Sequence, residues 1–167
     1  KDDNTELHNR DKANLLEVDK AFLYFQEERK KHDTIIHTAA KVGGVKANMD
    51  NNELFFRENK IINETVLELA KYLDYKNVVT MLSTCIFPNE GVTYPLTSDQ
   101  IENGKPHPSN YGYSYAKRLL AYQTKMYREM TGNNWYSIVP TNLYGENDNY
   151  DINNGHLIPA LIHKAYL

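Results

Sequence analysis

Tyr113 and Lys117 are a tyrosine and a lysine four residues apart. On a helix, positions i and i+4 share a face. An ammonium beside a phenol stabilises the phenolate and lowers the tyrosine pKa. A tyrosine so tuned can exchange a proton with a substrate oxygen near neutral pH. Tyr111 and Tyr115 compete for the role, but neither has a lysine four residues later. Taken alone, the pair reads equally well as an amphipathic surface pair. Upstream lies Ser83-Thr84-Cys85, two hydroxyls and a thiol in a row. A lone cysteine is more often buried and inert than reactive. Downstream, His156 could act as a general acid or base, or simply cap or pack a helix. Each signal is weak singly, so their weight depends on whether one scaffold gathers them.

Apolar periodicity predicts an amphipathic helix over about 12–31, through Leu15, Leu16, Val18, Ala21, Phe22, Tyr24 and Phe25. Thr34-Ile35-Ile36-His37-Thr38-Ala39 suits a buried parallel strand. Gly43-Gly44 marks a loop. Helical spacing returns from about Asn52 to Leu73. A second strand follows over 77–82, then a long loop over 87–112 that holds four prolines. A third helix is expected from about Tyr113 to Met130 and a third strand over 134–139, stopped by Pro140. A polar loop then leads to a final helix near Leu157. Strands alternating with helices mean βαβ units, a parallel sheet, right-handed crossovers and helices on both faces. Ligands bind such sheets beyond the carboxyl ends of the strands. Ala39 to Gly44, Ser83 to Cys85, Pro140 to Gly145 and Asn154 to Pro159 all fall there or just beyond.

Composition narrows the classes. The 167 residues suffice for one sizeable core. The net charge of −3, with no basic stripe, argues against nucleic acid as the main partner. No apolar run approaches the roughly 20 residues that span a bilayer, and no signal peptide opens the chain. The single cysteine leaves no internal disulfide framework and fits a reducing, cytoplasmic setting. The chain opens on Lys1-Asp2-Asp3-Asn4 without a strand and stops at Ala165-Tyr166-Leu167 inside a helical pattern. A central fragment of a longer protein is the expectation.

Ser83, Tyr113 and Lys117 have the chain order and spacing of the short-chain dehydrogenase triad. Several further segments sharpen that likeness. They are Asn9-Arg10-Asp11 with Asn14-Leu15-Leu16, Ala39-Ala40-Lys41-Val42-Gly43-Gly44, and Asn59 with Asn63. Ser83-Thr84-Cys85-Ile86-Phe87-Pro88, Pro140-Thr141-Asn142-Leu143-Tyr144-Gly145, Asp148-Asn149 and His156-Leu157-Ile158-Pro159-Ala160-Leu161-Ile162 complete the set. In this order they resemble the GDP-L-fucose synthase family of extended short-chain dehydrogenases, over nearly the whole chain.

The resemblance implies a Rossmann-like parallel sheet lacking its first βα unit. Residues 1–167 would form a partial NAD(P)-binding domain, with 146–167 leading into a mostly absent substrate domain. It implies NADPH as cofactor, a GDP-4-keto-6-deoxy sugar as substrate, and a homodimer paired through helices near 52–74 and 113–130. Epimerisation at C3 and C5 would use Cys85 and His156 as base and acid; reduction at C4 would use Ser83, Tyr113 and Lys117. Arg10 would reach the adenosine 2′-phosphate. Ala39, Ala40, Met81, Leu82, Ser83, Thr84, Lys117, Pro140, Thr141, Asn142, Leu143 and His156 would line the rest of the cofactor site. Lys164 stands where the family places a substrate-contacting arginine, keeping the charge without the bidentate fork. Leu82 replaces a family glycine, Phe87 a tyrosine and Glu146 a proline. The Gly-rich phosphate loop has no counterpart here, so the chain by itself is expected to be inactive. Two other readings stand beside this one: an epimerase-reductase for another nucleotide-linked 4-keto-6-deoxy sugar, and a catalytically dead binding or assembly domain.

Overall fold

The computed structural model describes residues 6–152 and 155–167. The opening Lys1–Asn4 and Asn154 lie outside them. In chain order the elements are α1 (Val18–Glu28), β1 (Thr34–His37), α2 (Val45–Asp50) and α3 (Asn52–Tyr72). There follow β2 (Asn77–Met81), α4 (Tyr111–Thr131), β3 (Asn134–Ile138) and α5 (Leu157–Tyr166). Three short 3-10 turns, Thr84–Ile86, Ser98–Glu102 and Pro108–Asn110, break up the stretch between β2 and α4.

The three strands form one parallel sheet in the order β1-β2-β3, with Ile35 opposite Val78 and Val78 opposite Trp135. Each crossover carries a helix, as parallel neighbours require. Strand alternation points His37, Val78, Thr80 and Trp135 into a buried layer, whereas Ile36, Tyr136 and Ile138 stand exposed on the other face. The buried layer meets α3 and α4, which pack along each other. Their apolar stripes supply Leu67, Ala70 and Leu120 to a cluster with Tyr75, Val78, Leu82, Ile86 and Trp135. Leu67, Val78, Leu120 and Trp135 are fully buried. Burying an apolar side chain of this size stabilises by roughly 1.5–3 kcal/mol.

The α/β class and parallel sheet match the sequence reading. The described helices α3 and α4 cover one sheet face. Right-handed crossovers that step in one direction must place their helices on one side, and β1, β2 and β3 step in one direction. The layer expected on the second face therefore has no source in these crossovers.

Helix limits differ in instructive ways. The first helix is shorter than its apolar pattern, because Asn14 builds a local turn: its Oδ1 accepts from the Leu16 N–H and its Nδ2 donates to Glu17. α2 was not expected, since six residues are too few to show a period. α4 starts two residues early, at Tyr111. It ends at Gly132, whose φ of 72° is left-handed and whose N–H bonds the Arg128 carbonyl.

Candidate functional site at the carboxyl edge of the sheet

The central strand leads directly to the first group of interest. β2 ends at Met81, and Leu82 continues the ladder by donating its N–H to the Ile138 carbonyl at 2.9 Å. The Leu82 side chain is buried in the core cluster, so only its main chain is offered to a ligand. Ser83 then caps the Thr84–Ile86 turn, its Oγ accepting from the Cys85 N–H at 3.3 Å. That cap holds Cys85 at the turn's centre, half-buried.

Helix α4 carries the second group. Its start is tied to α3, because the Gly112 N–H donates to Asn52 Oδ1 at 2.8 Å. The backbones approach so closely that a Cβ on Gly112 would lie 1.9 Å from the Asn52 carbonyl oxygen. One residue on, Tyr113 faces the turn. One helical turn further, Lys117 is 2% exposed and donates from Nζ to the Met81 carbonyl at 2.7 Å. Its Nζ also stands over the Tyr113 ring, 5.8 Å from the centroid.

Burial pushes the Tyr113 phenol up to about 12, and the nearby Cys85 adds to the shift while hydrogen bonding to Ser83 opposes it. Burial likewise pulls the Lys117 ammonium down to about 8. The expected lowering of the tyrosine by the lysine is therefore not what this geometry produces. The ammonium is committed to a carbonyl and meets the ring face, and desolvation outweighs the charge. Tyr113 stands as a protonated donor.

The loop after β1 is fastened from α3. Asn59 accepts from the Lys41 N–H at 2.9 Å and donates to the Lys41 carbonyl at 3.0 Å. Just upstream, Ala39 is exposed and Ala40 half-buried, so small residues edge this loop. Asn63 links three elements: it accepts from His37 Nε2 at 2.9 Å and donates to the Ala116 carbonyl at 3.3 Å. Burial pulls the His37 imidazole down to about 4, so it is a neutral donor.

After β3, Pro140 is half-buried and Thr141, Asn142 and Leu143 are exposed. His156 precedes the first residue of α5, its ring exposed and its Nδ1 3.9 Å from Asp148 Oδ1. Arg10 is exposed on a turn shaped by Asn9 Oδ1, which accepts from the Asp11 and Lys12 N–H groups. Lys164 is exposed on α5. The structure thus gathers Met81, Ser83, Thr84, Cys85, Tyr113 and Lys117. Among the described residues, no hydrogen bond or ion pair joins Arg10, His156 or Lys164 to them.

Sequence reasoning missed His37, Gly112 and Arg118. His37 was legible only as part of a strand. Gly112 gave a faint signal, a glycine between two tyrosines where a helix begins.

The sequence pattern of the NAD dependent epimerase/dehydratase family matches residues 2–167. The chain belongs to that family. Among curated relatives in the epimerase/dehydratase family, it is 48% identical over 144 residues to a GDP-L-fucose synthase of Dictyostelium discoideum, covering 86% of this chain and 44% of the relative. A probable GDP-L-fucose synthase of Drosophila melanogaster is 45% identical over 138 residues, covering 83% and 43%. Among solved structures, a GDP-L-fucose synthetase from Naegleria fowleri bound to NADP aligns with a TM-score of 0.86 at 34% identity, covering 95% of this chain and 48% of that one. The chain therefore spans somewhat under half the length of these relatives.

Proposed function

We propose that this chain carries the reacting centre of an NADPH-dependent epimerase-reductase that converts GDP-4-keto-6-deoxy-D-mannose to GDP-L-fucose. The observation that carries the reading is the meeting of two segments: the Ser83–Cys85 turn after β2 and the Tyr113–Lys117 face of α4. Similarity to GDP-L-fucose synthases supports the choice of sugar.

The residues fit the cofactor in part. The exposed Thr141 to Leu143, the small Ala39 and Ala40, and the Lys117 ammonium at the sheet edge suit the nicotinamide and ribose portions. When bound, NADPH supplies the hydride for C4. The chain's own groups do the rest. The C3 and C5 protons lie alpha to the C4 ketone, so removing either one spreads charge onto the C4 oxygen. The Ser83 and Tyr113 hydroxyls would receive that charge as hydrogen-bond donors. Cys85, beside Tyr113, would take or return the carbon-bound protons, with His156 as its counterpart. A phenol held at about 12 keeps its proton until an oxyanion develops, which suits the final donation.

Two further assignments belong to the same proposal. Leu119, Met126 and Met130 stand exposed along one stripe of α4, which supports pairing of two copies through α3 and α4. Among the described residues, no helix is long and apolar enough to cross a membrane. The lone thiol supports a cytoplasmic location.

The test uses the full-length protein with NADPH and GDP-4-keto-6-deoxymannose, following absorbance loss and identifying the sugar formed. Turnover to GDP-fucose is expected. No oxidation with this substrate, but oxidation with a UDP- or TDP-linked one, would overturn the choice.

A further inference from the structure

We infer that Arg118 is a positioning residue: with Lys117 it clamps both ends of the segment that carries Ser83 and Cys85. Two consecutive cations on α4 reach two carbonyls that flank this segment. Lys117 Nζ donates to the Met81 carbonyl, two residues before Ser83, at 2.7 Å. Arg118 Nε donates to the Ile86 carbonyl, directly after Cys85, also at 2.7 Å. Arg118 is 6% exposed, its guanidinium stands 5.4 Å from the Tyr115 ring centroid, and among the described residues its buried Nη2 has no hydrogen-bond partner. Among the described residues no carboxylate pairs with it.

A buried guanidinium without a counter-ion is costly to hold, and an apolar side chain of similar volume usually serves stability better. What Arg118 contributes that an apolar side chain cannot is a fixed, directional bond to one carbonyl. That carbonyl belongs to a three-residue turn whose Ile86 side chain is fully buried in the core cluster. Ser83 Oγ fixes its front through the Cys85 N–H, and Ile86 and Phe87 close it through their own N–H groups to the Ser83 and Thr84 carbonyls. Arg118 fixes its back. The helix that presents Tyr113 thereby sets where the Cys85 thiol sits relative to the phenol. In the proposed reaction, on which this assignment rests, that spacing decides whether thiol and phenol serve the same sugar ring.

The experiment compares Arg118→Met and Arg118→Lys in the full-length protein, with folding checked by circular dichroism. Three quantities are measured. The first is the pH-dependent rate at which iodoacetamide alkylates Cys85 without substrate, read by peptide mass spectrometry. The second is deuterium uptake from D2O at C3 and C5 of the sugar, and the third is NADPH oxidation with its KM. A displacement of about 1 Å costs on the order of 10²-fold in a positioned reaction. Arg118→Met is therefore expected to slow deuterium uptake by about that factor. NADPH oxidation should fall less, with the KM for NADPH unchanged, and Cys85 alkylation should change about ten-fold. Arg118→Lys, which restores one donor, should recover part of each. Should Arg118→Met not fold, the same comparison between Arg118→Lys and wild type decides. Alkylation and uptake within two-fold of wild type in the folded variants would overturn the clamp. A wild-type protein with neither uptake nor oxidation would sink the functional reading, while the alkylation arm would still read the clamp.

Discussion

At the scale of single residues, the division of labour between thiol and phenol makes the sharpest prediction. Cys85→Ser should abolish deuterium exchange at C3 and C5 and leave some direct reduction at C4. Equal loss of both steps would contradict the assignment. A second prediction concerns His37, which is buried, neutral and pulled down to about 4. A histidine with a lowered folded-state pKa binds fewer protons than the unfolded chain between about pH 6.5 and 4. Stability should be full above that window and fall through it, by up to roughly 3 kcal/mol. His37→Gln should flatten this acid limb; urea midpoints at pH 7.5 and 5 are the measurement. An unchanged limb would mean another group sets it. Tyr113, Lys117, Ser83 and Cys85 were legible because chemistry restricts their types and their spacing shows. His37 and Arg118 were not, since what matters there is a partner 26 or 32 residues away in sequence. The sense of the tyrosine shift was also illegible, because burial is a property of the assembled fold.

At the scale of elements, the site depends on how closely α4 starts against α3. A methyl on Gly112 would overlap the Asn52 carbonyl, and a backbone atom cannot swing aside. Gly112→Ala should therefore push the two helix starts apart, costing about 1–3 kcal/mol. It should slow turnover more than its stability loss explains, because Tyr113 moves with it. Asn63→Ala should cost about 1–3 kcal/mol, since it strands the buried His37 donor, while the Ala116 carbonyl keeps its own helical bond within α4. Thermal melts test both, and an unshifted melt for either would refute that account. The three strands were readable as short runs bounded by turn signals, and α3 from its apolar period. What periodicity could not show was α2, too short to repeat, and the 3-10 turns inside a stretch that proline and glycine made look merely irregular.

At the scale of the whole molecule, two of the exposed apolar surfaces among the described residues carry consequences. The α4 stripe of Leu119, Met126 and Met130 is exposed, and pairing with a second copy there is the proposal made above. Met126→Lys should therefore shift the sedimentation of the full-length protein from dimer to monomer at micromolar concentration, with folding intact. A monomeric wild type would remove the assignment. The sheet face bearing Ile36, Tyr136 and Ile138 is the other. Trp135 points the opposite way, fully buried against Tyr127, with its indole N–H bonded to the Tyr75 carbonyl. It is the only tryptophan in a chain with thirteen tyrosines. Its light emission therefore reports from one place, the seam where strand and helix layers meet. A dry, bonded indole emits at the blue end of its range and moves to the red when water reaches it, so one optical signal can follow whether that seam is closed.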